Sequence, residues 1–131
     1  MRIDDFFAER QRLLASRASV RQTRLTFDKR TDSTGYIRGE VHYIDDKVLH
    51  LREFVALGNE PQRLLYVYLL LDQPGQMIFR YDNSGHHRDL PTFPHHKHSG
   101  PSGTVSACNE PDFTAVLDEA DQHITLPSVE P

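Results

Sequence analysis

Apolar residues near the start of the chain recur two helical turns apart. In "IDDFFAERQRLLASR", Phe6, Phe7, Leu13 and Leu14 share one side of a helix, and Asp4 or Asp5 is placed to cap it. Arg10, Arg12 and Arg17 then face largely outward. From Val20 the period shortens to two: in "VRQTRLTFDK", Leu25 and Phe27 alternate with Arg24, Thr26 and Asp28, as a half-buried strand requires. "TDSTG" supplies turn residues, and "YIRGEVHYIDDKVLHLREFVAL" gives two more strands joined at Asp45-Asp46.

The side chains constrain how those two strands pair. Setting Ile37 opposite Val55 and Val41 opposite Leu51 puts Ile37, Val41, Tyr43, Leu49, Leu51 and Val55 on one face. Arg38, Glu40, His42, His50 and Arg52 take the other. A slip of one residue would mix the two sets. This register also sets Glu40 opposite Arg52, an expected cross-strand ion pair worth roughly 0.2–1 kcal/mol.

"RLLYVYLLLD" and "MIFRYD" read as a second hairpin, separated by "QPGQ" with its Pro74-Gly75 turn signal. Leu64 to Leu71 is too short to span a bilayer and reads as a buried strand. Residues 83 to 110, with Pro91, Pro94 and Pro101 among glycines and serines, suit an ordered loop, a short edge strand or both, but not a helix. The last element starts at Glu110-Pro111, where proline fits a first helical turn. Phe113, Val116, Leu117, Ala120 and Ile124 then recur at three- and four-residue steps. The expectation is an α+β fold: one domain over residues 1–126, a twisted antiparallel sheet of about five strands packed by N- and C-terminal helices, and a flexible tail at 127–131.

A chain of 131 residues is long enough to bury a core without covalent staples. Its single cysteine, Cys108, excludes an intrachain disulfide and a cysteine-based zinc framework, which fits a reducing cytoplasm. No signal-peptide or membrane-spanning pattern is present, so no membrane partner is expected. A net charge of −4 argues against general affinity for nucleic acid. The charge is uneven, however: net +4 over residues 1–30, −2 over 31–108 and −6 over 109–131.

"FRYDNSGHHRDLPTFPHHKHSG" (79–100) holds five of the eight histidines. They are too many, and too polar in context, to be core. Three chemistries remain open. Imidazoles could hold zinc or another transition metal, with His96 and His98 projecting to one side of an extended segment and Asp82 or Asp89 completing the shell. Metal-independent acid–base chemistry on RNA is the second, with no cofactor. His87, His96 and His98 are then candidate base and acid, Arg80 and Lys97 steady charge on the phosphorane, and Asp82 orients an imidazole. Tyr81 and Phe93 could stack a base, and Arg38, Arg52 and His86 could bind substrate. The third is a structural loop or a surface for a partner protein, a non-catalytic binding or regulatory role. If "HHKH" is flat, His96 and His98 face together while His95 and Lys97 point away, so Lys97 joins them only through a kink and Arg80 or Arg52 becomes the cation.

"GYIRGEVHYID" (35–45), "LREFV" (51–55), "FRYDN" (79–83), "HH" (86–87), "TFPHHKH" (92–98) and "EPDFTAVL" (110–117) together resemble the TumE-type toxins of bacterial and archaeal toxin–antitoxin systems. The resemblance implies the toxin of a two-gene, type II cassette, with a small helix-turn-helix antitoxin as partner. It carries over to Tyr36, Arg38, Gly39, Arg52, Glu53, Arg80, Asp82, Asn83, His86, His87, His96, Lys97 and His98. Ribonuclease activity is inferred from the residue types rather than from the family. The sequence leaves room for a homodimer.

Overall fold

Alternation and helical periodicity organise the chain as expected, but more of it enters the sheet. The computed structural model describes residues 1–73 and 75–127. Pro74 of the expected turn, and residues 128–131 of the expected tail, lie outside them. Helix α1 (Ile3–Ala15) is followed by β1 (Val20–Lys29), β2 (Thr34–Tyr43), β3 (Val48–Leu57), β4 (Pro61–Leu71), β5 (Met77–Asp82), β6 (His96–Ser99), β7 (Thr104–Ala107) and helix α2 (Phe113–His123). The strands form one antiparallel sheet in the order β1 to β7. The fold is α+β, with seven strands where about five were expected. The additional two come from the proline-rich stretch, which folds back as β6 and β7. At four residues each, they are too short to show a periodic pattern.

Both helices lie on one face. Phe6, Phe7 and Leu14 of α1, and Phe113, Val116, Leu117 and Ala120 of α2, bury against Ile37, Val41, Leu49, Leu51, Val55, Tyr66, Tyr68, Leu70 and Phe79 of the sheet. Gly35 permits the close approach of α1, and Gly39 that of β1 to β2. A Cβ on Gly35 would stand 2.5 Å from the Phe7 ring. Gly39, at φ +145°, would drive one into the backbone of β1.

The faces of β2 and β3 divide as the alternation predicted, but the register is shifted by two residues. Glu40 pairs with His50 and Arg38 with Arg52. The connection explains the shift. The Tyr43 carbonyl accepts from the Asp46 amide (3.0 Å) and the Tyr43 amide donates to Lys47 (2.9 Å), enclosing a three-residue loop with Asp46 left-handed at φ +74°. The expected Glu40–Arg52 pair is therefore replaced by a 2.8 Å contact between the Glu40 carboxylate and His42 Nε2.

Three further expectations are corrected. Helix α1 begins at Ile3 with Arg2 as its cap residue, whose amide donates to Asp5. Pro111 precedes the Asp112 cap of α2 instead of entering its first turn. In β4, Leu64 and Leu65 are exposed and full burial is confined to Tyr66, Tyr68 and Leu70.

Arg10 does not face outward. Its guanidinium lies over the Phe6 and Phe113 rings and bonds Glu53 through two nitrogens, at 3.0 Å each. Glu53 is fully buried and also accepts from the Tyr68 hydroxyl, to which Arg63 donates in turn. A buried carboxylate with every bond made is tolerated; with one partner removed it is costly. Arg17 bonds Asp118 and Asp121, so part of the basic front and part of the acidic end satisfy each other. No helix among the described residues is long and apolar enough to cross a membrane.

Candidate active site

The sheet face opposite the helices carries two rows of side chains, fixed by the strand register. One runs Thr26, Arg38, Arg52, Val67, Asp82, His96; the other runs Arg24, Glu40, His50, Leu69, Arg80, His98. Arg38, Arg52 and Arg80 line a groove of about 610 Å³ floored by Val67, Leu69 and Leu71. At the strand spacing of about 4.8 Å, three steps separate Arg52 from His96, roughly 14 Å. The groove thus sets three arginines against one carboxylate, Glu40, and its Arg80 end lies beside His98 of the next strand.

Asp82 organises that end. It is 2 % exposed. One carboxylate oxygen accepts from the Ser84 amide and hydroxyl (3.0 and 2.8 Å) and lies 2.8 Å from His96 Nε2. The other accepts from Arg80 Nε at 2.8 Å and stands 4.0 Å from His98 Nε2. Burial works against the charge, but the Ser84 donors, His96 and Arg80 outweigh it and hold the carboxyl below the usual aspartate range. In the sequence Ser84, before Gly85, reads as a turn residue and not as a partner of the site. An aspartate two residues before a serine is the pattern that forms such a turn.

The second ring nitrogen of His96, Nδ1, meets the Pro94 carbonyl at 3.0 Å. The Pro94 carbonyl and an ionised Asp82 can only accept, so both bonds form when both ring nitrogens carry hydrogen. His98 is half-buried, and desolvation outweighs the attraction of Asp82 to push its imidazole below the ordinary histidine range. His87 comes from the loop between β5 and β6, exposed and left-handed at φ +61°. Its ring packs edge to face against His96 (5.0 Å between centroids) and His98 (5.7 Å). A non-glycine residue held at positive φ stores strain, a feature that clusters at functional sites.

The structure therefore brings together His87, His96, His98, Asp82 and Arg80, with Arg38 and Arg52 along the same face. It does not bring Lys97 or Tyr81 to them. Segment β6 is a regular strand, so Lys97 projects to the helix face, where its ammonium bonds Glu119 (2.9 Å) and lies 5.0 Å from the Tyr81 ring. Tyr81 also bonds Glu119 and cannot stack a base over the imidazoles from there. His95 likewise turns away, to the Tyr66 hydroxyl at 2.9 Å. Phe93 and His86 are exposed on the loop. Asp89 is exposed and outside the group of three imidazoles whose ligand atoms lie within metal-binding reach of one another. Burial pushes the Cys108 thiol up, away from a nucleophilic thiolate.

A family model described as "Toxin TumE" matches residues 10–124, which include both rows of the open face and the whole histidine loop. Comparison with curated proteins and with solved structures finds no match. With most of its length matched, the chain belongs to the TumE toxin family.

Proposed function

From that membership we propose that the chain is the toxin of a two-gene toxin–antitoxin cassette and that it cleaves RNA in the cytoplasm. The observation that carries the activity is the meeting of two reachable imidazoles, His87 and His98, with Arg80 at the end of a cationic groove.

RNA cleavage through its own 2′-hydroxyl needs a base, an acid and a cation. Roles follow from which nitrogens are free to act. His96 has both nitrogens engaged, so it and Asp82 are positioning residues. His98 takes the proton from the 2′-hydroxyl. The 2′-oxygen attacks phosphorus as the bond to the 5′-oxygen breaks, and His87 protonates that departing oxygen, leaving a cyclic phosphate and a 5′-hydroxyl. Arg80, oriented through Nε by Asp82, steadies the charge on the phosphorane. Arg38 and Arg52 hold the flanking phosphates, which set register but not sequence. Phe93 and His86, exposed on the loop that carries His87, are the stacking and contact residues for a neighbouring base. The partner is a small antitoxin of the helix-turn-helix kind, and its neutralising action is to block this groove.

The test is purified protein on RNA, wild type beside His87→Asn and His98→Ala, with growth of bacteria expressing each. Cleavage lower by about 10²–10⁴-fold in the variants, and relief of growth arrest, are expected. Equal arrest by all three, or arrest with no new RNA ends, would discard the ribonuclease and leave a binding protein.

A further inference from the structure

Acid–base catalysis needs two imidazoles, yet three converge. His87, His96 and His98 each offer a ring nitrogen within 4.8 Å of the other two, and the third pair of rings, His96 and His98, stands 5.1 Å apart edge to face. One of the rings has the outer contact that orients a metal-ligating histidine. His96 holds the Pro94 carbonyl through Nδ1, which leaves Nε2 facing the centre. Asp82, buried 2.8 Å from His96 Nε2 and 4.0 Å from His98 Nε2, places a negative charge beside the same centre.

We propose that His87, His96 and His98, with Asp82 beside them as the balancing anion, bind one zinc-class transition-metal ion, and that the ion closes the site to acid–base chemistry. The closing effect rests on the ribonuclease reading; the binding does not. Tetrahedral zinc with bonds of about 2.0–2.1 Å sets its donors roughly 3.4 Å apart, so nitrogens within 4.8 Å of one another must draw together by as much as about 1.4 Å. His96 and His98 are fixed on a strand, and His87, on an exposed loop, supplies the movement. The ion replaces the proton shared by His96 Nε2 and Asp82, whose oxygen already stands 2.8 Å away. It also takes the lone pair of His98 and a nitrogen of His87, which a base and an acid each need. Three imidazoles suit zinc, copper or nickel over magnesium, whose preferred donors are all oxygen.

Calorimetry with Zn²⁺ and absorption spectroscopy with Co²⁺, on full-length protein purified without a histidine tag, test the binding. One ion per chain is expected, with an intense tetrahedral cobalt spectrum. His98→Ala and His87→Asn should weaken binding by more than the roughly 10–100-fold that loss of an outer partner costs, while His123→Ala binds as wild type. Asparagine suits His87 because it tolerates left-handed backbone and is a poor zinc ligand. Absence of binding in wild type, or full binding by His87→Asn, overturns the site. In the same preparation, RNA cleavage should fall on adding Zn²⁺ and return with a chelator. Cleavage that is unchanged or accelerated by Zn²⁺ overturns the closing effect, whereas no cleavage under any condition refutes the ribonuclease and leaves the binding result to decide the site.

Discussion

Two carboxylates are almost wholly buried in this sheet, one on each face, and they are used differently. Glu53 faces the helices, and Arg10 and Tyr68 take both its oxygens. Its partners are themselves enclosed: Arg10 is 12 % exposed and clamped between two phenylalanine rings. Asp82 faces the open side, and although His96 is buried with it, two of its neighbours reach solvent: Arg80 is 41 % exposed and His98 21 %. One carboxylate ties four elements together and has no free neighbour to act with. The other holds cationic and imidazole groups at the mouth of a groove. Burial alone therefore does not mark a functional acid; what its partners touch next does.

The comparison can be broken most forcefully at Glu53. Glu53→Ala leaves Arg10 buried without its acceptor and should cost about 3–5 kcal/mol in urea unfolding, while the folded fraction cleaves RNA at the wild-type rate. A folded Glu53→Ala protein without activity would erase the division between the faces. Asp82→Asn should do the converse: a smaller loss of stability, and cleavage slower by about 10²-fold because Arg80, His96 and His98 lose their common reference. Its melting temperature and single-turnover rate, measured together, separate the two effects.

Acid sharpens the contrast on the helix face. Asp45 bonds Lys47 and the Thr125 amide, which pins the hairpin tip to the end of α2. Burial opposes its charge, but the Lys47 ammonium and the Thr125 and Lys47 amides prevail, and the carboxyl lies below the usual range. A depressed folded-state value gives stability that is present above the unfolded value of about 3.9 and lost as pH falls through the folded one. Asp45→Asn should therefore lower the melting temperature at neutral pH and flatten its decline below about pH 4. The smallest effect is expected on the open face, where Arg38 and Arg52 stand directly opposite each other. Replacing either with alanine relieves like-charge repulsion, so stability should hold or rise slightly. The salt dependence of RNA binding should lose about one unit of slope for each.

How much of this was legible in the sequence depended on whether a local rule was enough. Alternation in "YIRGEVHY" and "VLHLREFV" sorted both faces correctly, and it also implied that Lys97 would part from His96 and His98. The register of that hairpin did not follow, because a left-handed Asp46 sets it and nothing about an aspartate announces a three-residue loop. Arg10 was misplaced because an arginine on a helix usually points to water; its stacking on Phe113 depends on a residue a hundred positions away. His87 had no periodic frame at all. Its position comes from the path of a proline-bearing loop, so composition could nominate it but not place it.

The order of the strands governs how the molecule comes into being. Every neighbour in the sheet is also a neighbour in sequence, so each hairpin can form from nearby chain, the regime of low contact order and rapid folding. Assembly in that order completes the arginine rows across β2, β3 and β5 before any histidine pair exists. His96 and His98 arrive only when the sixth strand docks on Asp82. A nascent chain stopped short of residue 96 would thus present the arginine groove without the imidazole pair, and the cleavage proposed for this site would be absent for most of the protein's own synthesis.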